Sequence, residues 1–128
     1  MGKRLLIVDD APIIRSMLRD IVEEDGFEVL AECGNGNEAV AKYRELKPDL
    51  VTMDIVMPEK DGLDALQEIL ALDPHAKIVM VTAVDQRVSL MKAIRAGAID
   101  YIIKPFESER VLAALRSALA IGQGDGNA

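Results

Sequence analysis

Five short apolar runs, each ending abruptly in polar chemistry, constrain this chain most. Leu5–Val8, Phe27–Ala31, Leu50–Met53, Ile78–Val81 and Tyr101–Ile103 read as strands. Leu5–Val8 and Ile78–Val81 are apolar at consecutive rather than alternate positions, so both faces of those strands must be covered. The stretches between the runs carry apolar residues at helical spacing. Strand and helix thus alternate five times. Such a chain builds a parallel sheet flanked by helices on both faces, with right-handed crossovers. The expected class is α/β, a single-domain doubly wound (βα)5 arrangement.

The helices have legible limits. Pro12 suits a first turn, Ile13, Ile14, Met17, Leu18, Ile21 and Val22 recur behind it, and Gly26 stops the helix. Asn35 and Glu38 have capping-box spacing ahead of Ala39, Val40, Tyr43 and Leu46. The loop MPEKDG, punctuated by Pro58 and Gly62, precedes Leu63, Leu66, Ile69 and Leu70. A helix from about Asp85 to Ala96 carries Val88, Met91 and Ile94, with Gly97 at its end. At this spacing Met17 and Met91 read as core gap-fillers. The last helix starts near Ser108 and ends near Ile121. Val111, Leu115, Ala118 and Leu119 are expected to face the sheet. Ala113, Ala114, Ser117 and Ile121 are left over for a docking face. One domain over 1–121 and a flexible tail over 122–128 are expected.

Composition narrows the function. A net charge of -7 and the lack of Trp disfavour a nucleic-acid surface, which needs basic patches and stacking aromatics. Cys33, the one cysteine, can form no internal disulfide and reads as a small buried hydrophobe. No apolar run reaches the roughly 18 residues of a membrane span, and no signal peptide is evident, so a cytoplasmic home is expected. His75, in the polar segment DPHAK, reads as a solvated loop residue.

In open parallel sheets, ligands bind beyond the carboxyl ends of the strands. Here those ends deliver Asp9 and Asp10 from the first strand, Asp54 from the third, Thr82 from the fourth and Lys104 from the fifth. The second ends in Cys33 and Gly34, with no evident chemistry. Taken alone, Asp9-Asp10 reads as a helix cap, and a lone Asp, Thr or Lys as a solvated loop residue. Together they describe a crevice. Three carboxylates there raise one another's pKa unless a cation intervenes. Mg2+ takes carboxylate and water oxygens and phosphate, and Lys104 adds a second positive charge. Metal, ammonium and hydroxyl around one carboxylate suit phosphoryl transfer, the carboxylate acting as nucleophile.

The motifs IVDD, MDIVMPEKDG, VTA and YIIKPF make the chain similar to the two-component response-regulator receiver domains, from Lys3 to about Leu119. The resemblance implies the flavodoxin-like strand order 2-1-3-4-5, which is taken from the family. It implies that Asp54 is the phosphoacceptor and that Asp9, Asp10, Asp54 and the Val56 carbonyl hold Mg2+. It implies that Lys104 and Thr82 bind phosphoryl oxygens, that the small Ala83 leaves room for them, and that a cis bond precedes Pro105 and helps to aim the lysine. Tyr101 would be the switch aromatic, although a half-buried strand tyrosine is the plainer reading.

The implied function is a signalling switch, phosphorylated by a chemotaxis-type histidine kinase. It would catalyse only its own phosphorylation and dephosphorylation, and would present an altered fourth-helix, fifth-strand and fifth-helix face to an output partner. A flagellar motor switch protein is the expected partner, and the protein is expected to be a monomer. Val56 and Val84 cannot hydrogen-bond an attacking water, so slow self-dephosphorylation and reliance on a phosphatase are expected. Alternatives within the family are a phosphorelay intermediate or the receiver of a larger regulator. A haloacid-dehalogenase-type phosphatase would place its nucleophile after the first strand in a D-x-D pattern. A flavodoxin-like FMN carrier would need a phosphate-cradling turn where this chain has DDAP.

Overall fold

A computed structural model describes residues 3–126, with side chains through Ile121. Its elements run β1 (Arg4–Val8), α1 (Pro12–Glu24), β2 (Glu28–Cys33), α2 (Gly36–Leu46), β3 (Leu50–Met53), α3 (Gly62–Leu72), β4 (Ile78–Ala83), α4 (Arg87–Ala96), β5 (Asp100–Lys104) and α5 (Ser108–Gly126). A single 3-10 turn, Val84–Gln86, joins β4 to α4. The strands form one parallel sheet of order β2-β1-β3-β4-β5, as expected.

Strand parity splits the core in two. Leu5, Ile7, Leu50, Val79, Val81 and Ile102 face α1 and α5, where they meet Leu18, Val22, Val111 and Leu115. Leu6, Val8, Val51, Met53, Ile78 and Met80 face the other way, onto Tyr43, Leu66, Ile69 and Leu90. Consecutive apolar residues in β1 and β4, and a β3 interrupted only by the buried Thr52, are the direct cause of this two-sided burial. Among the described residues no helix is long and apolar enough to cross a membrane.

Several helix faces differ from expectation. On α1 the buried positions are Leu18 and Val22, with Ile14 and Ile21 beside them. Ile13 is 71% and Met17 44% exposed, so Met17 fills no core gap. On α4 the sheet takes Leu90 and Ala93, while Val88 and Met91 are 72% and 48% exposed. The reason is geometric. Each helix carries more apolar residues than one face of contact can cover, and spacing alone does not say which stripe turns inward. On α5, Val111, Ala114, Leu115 and Ala118 are buried, which corrects the outward placement of Ala114. The α5 backbone continues to Gly126 rather than ending near Ile121. Residues 127 and 128 of the expected tail lie outside the described residues.

The caps follow the sequence more closely. The Asn35 side chain accepts from the Glu38 amide at 2.9 Å, while Glu38 Oε1 accepts from the Gly34 amide at 2.7 Å, one residue earlier than a strict capping box. Gly97 ends α4 at φ 124°, a backbone region that suits glycine. Cys33 is buried at the end of β2, which pushes its thiol up to about 11.

Candidate functional site

The hydrogen-bond ladder of the sheet runs one residue past the strand ends. The Asp9 amide donates to the Cys33 carbonyl at 2.9 Å, and the Asp54 amide donates to the Val8 carbonyl at 2.9 Å. Main-chain pairing thereby sets both carboxylates side by side at the carboxyl rim. Asp9 is 1% exposed and Asp54 7%, whereas Asp10 is exposed. Carboxylate oxygens of Asp9, Asp10 and Asp54 lie within 4.8 Å of one another. Lys104 reaches in from β5, its Nζ 2.8 Å from Asp9 Oδ2 and 3.4 Å from Asp54 Oδ2. The structure therefore brings together Asp9, Asp10, Asp54 and Lys104, although Asp9 and Lys104 are 95 residues apart in the chain.

Electrostatics singles out Asp54. Burial first, and the Asp9 charge second, push its carboxyl up to about 6; Lys104 and the Ile55 amide, which donates to Oδ1 at 2.8 Å, pull the other way. Burial alone would lower the pKa of Lys104, but the hydrogen bond to Asp9 and the charges of Asp54 and Asp9 hold its ammonium above the usual range. Two buried carboxylates with one ammonium leave an excess of negative charge. The donor set is entirely hard oxygen with a solvent-exposed member, which fits a small divalent cation that keeps part of its water shell.

The loop after β3 is locked beneath the site. Gly62 donates from its amide to the Ile55 carbonyl at 2.7 Å, and a Cβ at Gly62 would fall 1.9 Å from the Asp54 carbonyl oxygen. This close approach explains the glycine in MPEKDG better than turn punctuation does. Pro58 is exposed in that loop, and its carbonyl accepts from the Lys60 amide at 2.8 Å. Val56, whose carbonyl is the expected further ligand, has a 54% exposed side chain. The Lys104–Pro105 bond is cis, as the family resemblance implied.

Thr82 and Ala83 end β4 at the same carboxyl rim, and Tyr101 lies further back along β5. Thr82 pairs in register with Ile103, and Met80 with Tyr101, so Thr82 and Tyr101 lie on the α4 side of the sheet. Asp54 and Lys104, by strand parity, extend the opposite face. Thr82 is fully buried, and its hydroxyl has no partner among the described residues. Ala83, in register with Lys104, is partly buried, and Val84 beyond it is 64% exposed. Tyr101 is 42% exposed, with the Arg110 guanidinium 5.8 Å from its ring centroid. A groove of about 320 Å³ opens beside it, lined in part by Ala83, Leu90, Met91, Ile94 and Ile103. His75 is exposed, and its amide donates to Asp73 within its own loop.

The sequence reading missed Arg15 and Glu32. Arg15 Nη1 donates to the Asp9 carbonyl at 2.6 Å, and its Nε donates to Glu32 Oε1 at 3.1 Å. The only sequence signal was a basic pair, Arg15 and Arg19, one turn apart on α1. Strand β2 thus contributes both Glu32 and the Cys33 carbonyl to the base of the site.

A five-stranded parallel sheet of this order with an acid cluster and a lysine at its carboxyl rim is the arrangement that the resemblance to receiver domains implied. The sequence matches the response regulator receiver domain family over residues 5–116, and the chain belongs to that family, whose members are signalling switches. It is 56% identical over 115 residues to the chemotaxis protein CheY of Thermotoga maritima, covering 90% of this chain and 96% of that one. A CheY-like receiver domain protein from Methanospirillum hungatei superposes with a TM-score of 0.90 at 30% identity, covering 98% of this chain and 99% of that one. A chain of the CheX–CheY–BeF3–Mg2+ complex from Borrelia burgdorferi superposes with a TM-score of 0.85 at 33% identity, covering 89% and 87%. Membership of this family sets aside the phosphatase and FMN-carrier alternatives.

Proposed function

We propose that this chain is a phospho-accepting switch of a chemotaxis-type two-component system, with Asp54 as the acceptor. The observation that carries the reading is the Lys104 ammonium held between Asp9 and Asp54 within a cluster of three carboxylates. An Asp54 oxygen attacks the phosphorus of a phosphohistidine on the partner kinase. An O–P bond forms, the P–N bond breaks, and the imidazole nitrogen leaves with the bonding electron pair. The buried carboxyl titrates near 6, so Asp54 is mostly ionised and nucleophilic at neutral pH. Mg2+ held by Asp9, Asp10, Asp54 and the Val56 carbonyl supplies positive charge to the phosphoryl oxygens when bound. Lys104 neutralises a further oxygen, and Ala83 keeps that side of the site small.

The Thr82 hydroxyl, buried without a partner among the described residues, gains one by turning toward a phosphoryl oxygen. Its movement frees space on the α4 side, and the outward Tyr101 turns into the groove beside it. The two forms differ by a few kcal/mol, so one covalent phosphoryl group shifts their populations. The α4–β5–α5 face then meets an output partner. The likeness to CheY proteins favours the flagellar motor switch, with the cytoplasm as the place of action. Val56 and Val84, both exposed and apolar, cannot orient an attacking water, so the phosphoryl group is lost slowly and a separate phosphatase is expected to remove it.

Acetyl phosphate with Mg2+ should add one phosphoryl mass to the intact protein, and Asp54→Asn should abolish it. Labelling that survives in Asp54→Asn, or that persists after chelation of Mg2+, would overturn the assignment. Pull-down of the flagellar switch protein with and without phosphorylation tests the output.

A further inference from the structure

We propose that Arg15 is a positioning residue for the acid cluster, working from outside it through the Asp9 main chain. The inference rests on the phosphoacceptor reading above. Its warrant is a run of contacts converging on one residue. The Asp9 amide is fixed by the Cys33 carbonyl at 2.9 Å, its Oδ1 by the Ala11 amide at 2.9 Å and its Oδ2 by Lys104 at 2.8 Å. Its carbonyl is the remaining polar atom, and Arg15 Nη1 holds it at 2.6 Å. That carbonyl belongs to the peptide linking Asp9 to Asp10, so its orientation sets where Asp10 stands relative to its neighbour.

The guanidinium is itself held. Arg15 Nε bonds Glu32 Oε1 at 3.1 Å, and the second Glu32 oxygen bonds Arg19, one turn further along α1. Arg19 also pairs with Glu23 at 3.2 Å. The side chains of Arg15 and Glu32 are 21% and 27% exposed, shielded enough to keep their geometry. Glu32 on β2 therefore aims Arg15 from α1 at the peptide that carries both acids. A planar guanidinium, with donors in a fixed fork, does this where a flexible ammonium cannot engage both partners equally. Residues that orient a ligating group are in general worth roughly tenfold or more in metal affinity.

The sign of the effect separates positioning from plain electrostatics. Removing a positive charge near the cluster should by itself tighten cation binding. Loss of positioning should weaken it. We expect Arg15→Ala to weaken Mg2+ binding by about tenfold, measured calorimetrically on the unphosphorylated full chain. Arg15→Lys, which keeps a cationic donor, should recover part of that loss. Glu32→Gln should weaken binding less than Arg15→Ala. Amide exchange at Asp10 and Ala11 should speed up in Arg15→Ala while the β3 and β4 amides stay protected, which shows that the fold is intact. Wild-type binding with equal or tighter binding by Arg15→Ala overturns this inference and leaves the phosphoacceptor reading standing. Failure of the wild type to bind Mg2+ overturns both.

Discussion

At the amino-terminal edge of the sheet, Arg4 donates to the Lys47 and Leu46 carbonyls at 2.9 and 2.7 Å, placing a cation on the carboxyl end of α2. Its amide bonds Asp49 at 3.0 Å, and the Asp49 amide returns a bond to the Arg4 carbonyl at 2.8 Å. Nearby, the Tyr43 hydroxyl donates to Asp73 at 2.7 Å. At the carboxyl edge of the same sheet, Asp9, Asp10 and Asp54 crowd within 4.8 Å around a single ammonium, and the Thr82 hydroxyl has no partner among the described residues. The contacts around Arg4, Asp49 and Tyr43 match donors to acceptors. The carboxyl edge holds like charges together and leaves a donor unspent. The packing that orders the first edge is what holds the second in an arrangement its own charges oppose.

Four substitutions or conditions probe that contrast. The largest effect is expected from Gly62→Ala, whose Cβ would fall 1.9 Å from the Asp54 carbonyl oxygen. Relief requires main chain to move, and a loss of about 3 kcal/mol in urea unfolding is expected. A loss under roughly 0.5 kcal/mol would mean that the loop beneath the site is not locked. Next, Lys104→Met leaves the Asp9 carboxylate, 1% exposed, without its ammonium partner, and should cost about 3 kcal/mol in metal-free buffer, with added Mg2+ restoring part of it.

The third probe is pH. Asp54 titrates near 6 in the fold, against 3.8 ordinarily, so between those values the folded chain binds more protons than the unfolded one. The stability that Asp54 contributes is therefore greatest in acid and falls as pH rises through that window. Relative to wild type, metal-free Asp54→Asn should gain about 2 kcal/mol in unfolding free energy from pH ~4 to pH ~7. A constant difference would show that Asp54 is not strained by its surroundings. The smallest effect is expected at the amino-terminal edge. Tyr43→Phe removes one hydrogen bond to Asp73 and should cost about 1 kcal/mol, with no change in labelling by acetyl phosphate. A change in labelling would mean that the two edges communicate.

Much of the site was readable because each of its parts ends a strand. Asp9, Asp54 and Lys104 follow apolar runs directly, and a parallel sheet must collect such ends at one rim. Arg15 and Glu32 were not readable. Their role depends on which way α1 turns and on the register of β2 beside β1, and neither is written in local spacing. Met17, Val88 and Met91 failed for a related reason. Helical period identifies a set of apolar stripes, and packing selects among them.

Consecutive buried residues in β1, β3 and β4, separated by amphipathic segments, dictated a parallel sheet covered on both faces, because no other arrangement removes both strand faces from water. The motifs at the strand ends added the receiver family. Tertiary structure alone decided that Thr82 and Tyr101 belong to the α4 side while Asp54 and Lys104 belong to the other, that Gly62 abuts the Asp54 carbonyl, and that Glu32 aims Arg15 at Asp9. Those relations join residues that are distant in the chain, and distances between such residues exist only once the sheet and its helices have packed.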